Sequence, residues 1–438
     1  MTEKDTIKLI LLHFGIGIVI AFFPLIAKIY AVLIILSGVY FVVKNRNRNH
    51  EVLYVTAYLV GSEVILRSTH ANNYEFAKYF IVLFLILGIL YNGISKKAYP
   101  YLIFLLLLVP GILIAVFTLE SDIRRKIIFD ISGSICLAIC ALYTYKKKIT
   151  FTKVNNILLT ICLPIITTCT FLFINTPMKG FTIPNLESNF FLSGGFGPNQ
   201  MSTILGLGVF IFFARLVLIS SSQKIMLLNI LFLTYTFYRG LLTLSRGGML
   251  VAMIITLVLL FSIYLNSKLY CTIKVKIILT FVAFLLVFVI ASYQTNGVLQ
   301  KRYTYSNSTS KNTVREGKKR RGIAVKEIQL FSENPLLGIG VGKGKEIREK
   351  EFGLPICSHS EMTRLLAEHG LFGLTAILIL LILPLRLWLK NKQNVYLLSF
   401  IGFWFLTVNH SGMRIAAPAF IYGLALLDIK FRRKTTIN

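Results

Sequence analysis

Long apolar runs separated by short polar breaks cover almost the whole chain. Fourteen such runs are read at about 7–25, 28–43, 51–66, 78–94, 100–118, 127–145, 154–175, 199–218, 224–243, 247–266, 275–293, 370–388, 394–409 and 413–429. Most approach the roughly 20 residues that a helix needs to cross a bilayer. The first two and the last two are short enough to merge or re-enter, so the count is 12–14. The expected fold is all-α, a polytopic transmembrane bundle. Residues 1–175 are read as an amino-terminal transmembrane bundle. Residues 176–430 form a second membrane region, and 431–438 a tail. The first run has no small-residue cleavage site behind it and is read as retained.

One break is far longer than the rest. Residues 294–369 separate two spans and carry short helical patterns. In Ile323-Ala324-Val325-Lys326-Glu327-Ile328-Gln329-Leu330, apolar residues at 324, 325, 328 and 331 recur at helical spacing. This predicts an amphipathic helix from Arg320 to the stop at Asn334-Pro335. The glycine run Leu336-Leu337-Gly338-Ile339-Gly340-Val341-Gly342 follows a helix and lacks a lysine-serine ending, which makes it a weak nucleotide motif.

Composition agrees with a membrane protein. Of 438 residues 55% are hydrophobic and 15% charged, against about 25% charged in a soluble domain. Mean hydropathy is +0.72. The net charge of +29 sits largely in short loops. Lys44, Arg46, Arg48, Lys96, Lys97, Lys146 to Lys148, Lys153, Lys224, Lys268, Lys274, Lys276, Arg386, Lys390, Lys392 and the tail all fall on one side if there are fourteen spans. The positive-inside rule makes that side cytoplasmic, with both termini, and removes the case for nucleic acid. The six cysteines show no zinc or disulfide spacing and read as small apolar residues.

The candidate chemistry lies on the opposite face. Ser245-Arg246-Gly247-Gly248 opens one span, and an arginine at such an entrance is costly unless it has a task. The alternative is an arginine reaching to the interface. Arg239, deeper in the preceding span, is expected to pair with a buried carboxylate. The long loop brings Arg320 and Arg321, then His359-Ser360-Glu361 before another span. Ser360 is read as a helix cap with Glu361 in the first turn. Guanidinium groups fork onto phosphate oxygens, and imidazole exchanges a proton near neutral pH. His369 and His410 are rivals to His359. The basic loop also reads as a solvated segment balanced by Glu327, Glu333, Glu346, Glu349 and Glu351. No acidic cluster suggests a divalent cation, so neither a metal nor a cofactor is expected.

Four features in this order resemble the O-antigen ligase and polymerase family over about residues 190–390. They are Gly197-Pro198-Asn199-Gln200, then Ser245-Arg246-Gly247, then Arg320 ahead of Asn334-Pro335-Leu336-Leu337-Gly338-Ile339-Gly340, then His359-Ser360 with Leu365, Ala367-Glu368, Gly370-Leu371 and Gly373. The resemblance implies a GT-C-like glycosyltransferase of the bacterial inner membrane, active on the periplasmic face. The long loop would be periplasmic. The implied donor is a glycan on undecaprenyl diphosphate. The implied acceptor is a lipid A core sugar for a ligase, or another lipid-linked glycan for a polymerase. Carried over by motif, His359 is the catalytic base, and Arg246 with Arg320 binds the diphosphate. Lys319 stands where the family has glycine and Ala324 takes an aromatic's place, so Arg321 shares the assignment. Ser245, Asn199, Glu361, Glu368 and His410 are candidate supports. The reaction expected is metal-independent and inverting. A lipid-linked glycan transporter is the competing class, but the sequence shows no internal repeat and its outer charges gather on one face. A non-catalytic assembly role would leave that polar cluster without a purpose.

Overall fold

A computed structural model describes residues 2–177, 187–220, 222–265, 274–304, 311–353 and 356–430, with the side chains of 311–320 and of residue 352 outside the description. Among these, helices dominate. They are α1 (Glu3–Phe22), α2 (Ile26–Asn45), α3 (Glu51–Ser68), α4 (Phe76–Asn92), α5 (Tyr99–Thr118), α6 (Ile123–Thr144), α7 (Phe151–Asn175), α8 (Pro198–Leu218), α9 (Gln223–Leu242), α10 (Arg246–Tyr264), α11 (Lys274–Gln294), α12 (Val298–Thr304), α13 (Lys311–Glu333), α14 (Lys343–Phe352), α15 (Glu361–Lys390), α16 (Leu397–His410) and α17 (Ala417–Ala425). Each of the fourteen apolar runs coincides with one helix. Ten helices are long and apolar enough to cross a membrane by themselves. The chain is a multi-pass membrane protein.

The remaining four, α3, α4, α16 and α17, still run from one face to the other. At the basic end, Lys153 donates to Asn49, Asn47 contacts Asn92, and Tyr396 donates to Asn155. At the far end, Arg67 donates to the Arg414 carbonyl and Ser360 to Asn409. Helix α16 has 14 residues and so spans about 21 Å. Helix α17 has only nine, and the non-helical stretch 411–416 supplies the rest of its path. Two three-residue strands, β1 (Lys148–Thr150) and β2 (Asp428–Lys430), pair in parallel at the basic face. They were not anticipated. They tie the end of α17 to the α6–α7 connection.

Packing is densest around α8, whose residues are nearly all buried, and α7, most of whose residues are. Small residues set the closest approaches. A Cβ on Gly206 would lie 2.5 Å from the Gly248 carbonyl oxygen. A Cβ on Gly61 would lie 2.2 Å from that of Ile161. Helices in lipid gain little from hydrophobic exclusion and depend on such contact. Apolar side chains on the outside of α1, α2, α5 and α11 remain exposed, as a surface solvated by acyl chains requires. Helices α5 and α6 from the first half pack on α15 and α17 from the second.

The long loop departs from its expected form in two respects. Helix α13 begins at Lys311, nine residues or about two and a half turns before Arg320. Its buried stripe is Ile323, Glu327 and Leu330, while Val325 and Ile328 are exposed. The apolar spacing misled because the side packed against α15 carries a buried acid. The glycine run is a strap across α5 and α15. Ile339 and Gly340 donate to the carbonyls of Ala367 and Glu368, and Val341 donates to that of Gly111. A Cβ on Gly338 would fall 2.5 Å from the Glu368 backbone.

Candidate functional site

The far face gathers three segments of chain into one polar cluster: the start of α10, the segment leading into α15, and the turn between α16 and α17. Helix α10 opens with Ser245 as its flanking residue. The Ser245 hydroxyl donates to Asn199 Oδ1 at 2.7 Å, and its carbonyl accepts from Ser202 at 2.9 Å. Two residues of the Gly197-Pro198-Asn199-Gln200 motif therefore divide their work. Asn199 holds Ser245. Gln200 donates to the Tyr74 hydroxyl at 2.7 Å and accepts from Arg67 at 3.3 Å.

Arg246 is the first residue of α10 and is half-buried. Its Nη1 donates to the Arg302 carbonyl at 3.2 Å. Among the described residues no carboxylate lies within ion-pair distance of it. The first turn of α10 carries no acid either. A guanidinium beside the positive end of a helix is unfavourable unless an anion joins it. Beside it, the buried Tyr303 hydroxyl has no hydrogen-bond partner among the described residues. Burial pushes that phenol up to about 12, against the pull of Arg246 and Arg302.

Gly247 lets His410 in. A Cβ there would sit 2.0 Å from His410 Cδ2. The neighbouring Asn409 accepts from Ser360 at 3.0 Å. Ser360 also caps α15, accepting from Thr363 N at 3.4 Å, as the sequence implied. His359 precedes it and is half-buried. Arg246 and His359 thus lie on the same face and are joined through the Asn409–His410 pair. His369 lies apart, buried, with its ring against Gly111 on α5.

The other outer arginines divide into paired and unpaired. Arg364 is buried and bound by Glu361, by Glu368 at 2.6 Å and by the Asp130 carbonyl at 2.9 Å. Glu368 also accepts from Gly342 N at 2.9 Å. Both candidate acids therefore face inward, onto Arg364. Arg67 pairs with Glu63 and lies 3.9 Å over the Tyr74 ring. Arg414 is different. It is half-buried, and its Nη2 donates to the Ser358 carbonyl at 3.2 Å, one residue from His359. It too has no carboxylate partner among the described residues. Among the described residues Arg239 meets no carboxylate, contrary to expectation. It donates to the Leu172 carbonyl at 3.1 Å and to Thr176, at the negative end of α7.

The segment before His359 is anchored by Glu327. This buried carboxylate accepts from Thr363 at 2.6 Å, Ser358 at 3.1 Å and Arg348 at 3.1 Å. Burial still raises its carboxyl above the ordinary range, against those three donors. The Arg320 side chain lies outside the described residues. Its helical position is seven residues before Glu327, hence about 10 Å along the axis and on nearly the same face. Arg321 is exposed. Sequence reasoning missed Arg414, Arg364 and Glu327. Arg414 followed a short span with no motif around it, and the other two looked like ordinary helical charges.

The described helices form a many-spanning bundle that carries Arg246, Arg414 and His359 at one face. Residues 230–378, about a third of the chain, match the family model described as O-antigen ligase, which points to an enzyme of the ligase or glycosyltransferase type. No curated protein matches the chain. The matched stretch holds Arg246, His359, Arg364 and Glu327 but ends before His410 and Arg414.

Proposed function

We propose that the protein transfers a glycan from undecaprenyl diphosphate to a sugar hydroxyl of the lipid A core, on the periplasmic face of the bacterial inner membrane. One observation carries this reading. Among the described residues Arg246 and Arg414 stand half-buried without carboxylate partners, Arg414 bonded to Ser358 next to His359 and Arg246 beside the Gly247–His410 contact. Two such charges on one face favour an anion, and a diphosphate supplies two or more negative charges.

The chemistry then follows from the positions. The acceptor hydroxyl attacks the anomeric carbon, and His359 takes its proton as the new bond forms. General-base help of this kind is worth roughly 10²–10⁴ in rate. The glycosyl–oxygen bond to the diphosphate breaks on the opposite side, so the anomeric configuration inverts. Charge grows on the leaving diphosphate, and Arg246, Arg414 and Arg320 stabilise it at the edge of the bilayer. Glu327 and Asn409 act indirectly, by fixing the backbone on either side of His359. A lipid diphosphate is already an activated leaving group, so no metal is required.

Purified protein with a lipid-linked donor and a core acceptor tests this. Transfer is expected to persist in EDTA and to fall at least about 100-fold in Arg246→Ala and His359→Ala. Wild-type rates in both folded variants would sink the assignment. The glycan of a deletion strain identifies the acceptor. Full-length chains stranded on the carrier lipid mark a ligase, and single repeats transferred to the core mark a polymerase.

A further inference from the structure

A second hollow lies beside the cluster. A cavity of about 760 Å³ opens between the outer ends of α4 and α6. Its walls include Tyr74, Tyr79, Phe129, Asp122, Arg124 and Arg125. Two smaller hollows adjoin it at shared wall residues. One of about 340 Å³ shares Asp122, Arg125 and Phe129 with the first and reaches Cys357. The other shares Phe129 and reaches Ser358 and Arg414. The hollow nearest the cluster is lined by Ser358, one residue from His359.

The aromatic floor is fixed in place. The Tyr74 and Phe129 rings are 6.0 Å apart, centroid to centroid. Arg67 covers the Tyr74 face, Gln200 holds its hydroxyl, and Lys345 sits 5.3 Å over Phe129. The rim is polar and uncommitted. Among the described residues, Arg124, Arg125 and Asp122 make no ion pair. Aromatic faces pack against the C–H faces of sugar rings, carboxylates accept from hydroxyls, and guanidinium groups bind phosphate or carboxylate. The volume falls within the ordinary range for a small-molecule site.

We propose that this hollow is the acceptor subsite and takes a sugar bearing an anionic group, a phosphate or a carboxylate. The inference rests on the proposed transfer reaction. It places the acceptor on the α4–α6 side of His359, next to the donor diphosphate held by Arg246 and Arg414.

The test reads binding without turnover, which keeps it independent of the transfer reaction. Saturation-transfer NMR on the purified full-length protein in detergent would compare maltose, maltose 1-phosphate and maltobionate as probes. Both anionic probes are expected to bind more tightly than maltose. The double reversal R124E/R125E is expected to weaken them by about tenfold or more, a loss typical of a hydrogen bond to a charged group. Maltose affinity should be unchanged, which also reports an intact fold. Tyr79→Ala should weaken all three. If the reversal leaves the anionic probes unaffected, or maltose binds as tightly as they do, the subsite is wrong. In the transfer assay, the same reversal should raise the acceptor KM and leave the donor KM alone. A wild type that binds the probes but transfers nothing would overturn the proposed function and spare the subsite.

Discussion

Arg246 and Arg364 show how differently two arginines on one face are used. Arg364 is enclosed by Glu361, Glu368 and Asp130, which compensate its charge. Removing it strands buried carboxylates, so Arg364→Met should lower stability by about 3–5 kcal/mol, read as a fall in unfolding temperature. Arg246 has one carbonyl partner. Arg246→Ala should leave that temperature nearly unchanged while abolishing transfer. Glu327 gives a pH signature. Its folded-state pKa is raised by burial, so its contribution to stability is complete below the unfolded value of about 4.3. It is lost as pH rises through the raised folded value. Thermal stability of the wild type should therefore fall with rising pH across that window. Glu327→Gln, which keeps the volume and cannot ionise, should flatten the fall, and an identical slope in both would contradict this reading.

At the scale of elements, the strap from Gly338 to Gly342 and the kink at Gly370 set how α15 packs against α5. Gly370 has φ 59° and ψ −136°, a region open to glycine alone, and a Cβ there would meet the Pro335 carbonyl oxygen at 2.5 Å. Gly370→Ala should cost about 1–3 kcal/mol and loosen α15, measurable as a lower unfolding temperature. The sequence made the spans legible because apolar length is a strong signal that no neighbour alters. The motif residues Asn199, Ser245 and Ser360 were legible because capping and close approach leave a local residue signature. The buried face of α13 was not. Val325 and Ile328 suggested one stripe, but tertiary contact with Ser358, Thr363 and Arg348 turned Glu327 inward instead. Arg414 was hidden for a related reason, since its importance comes from its neighbour at 358, 56 residues away in sequence.

For the molecule as a whole, the connections sort into two faces. Arg48, Lys147, Lys153 and Asp428 share one, and Glu120, Arg246, His359 and Arg414 share the other. The basic face is expected to be cytoplasmic. A membrane-impermeant maleimide should then label Glu120→Cys, but not Arg48→Cys, in permeabilised-outer-membrane cells carrying Cys357→Ser. The opposite pattern would invert the protein. The central claim is that Arg246 and Arg414 hold one lipid diphosphate beside His359. Its most direct test is the affinity of the purified protein for undecaprenyl diphosphate. Arg246→Ala and Arg414→Ala should each weaken binding by about tenfold or more, while His359→Ala binds like the wild type. Wild-type affinity in both arginine variants would contradict the account.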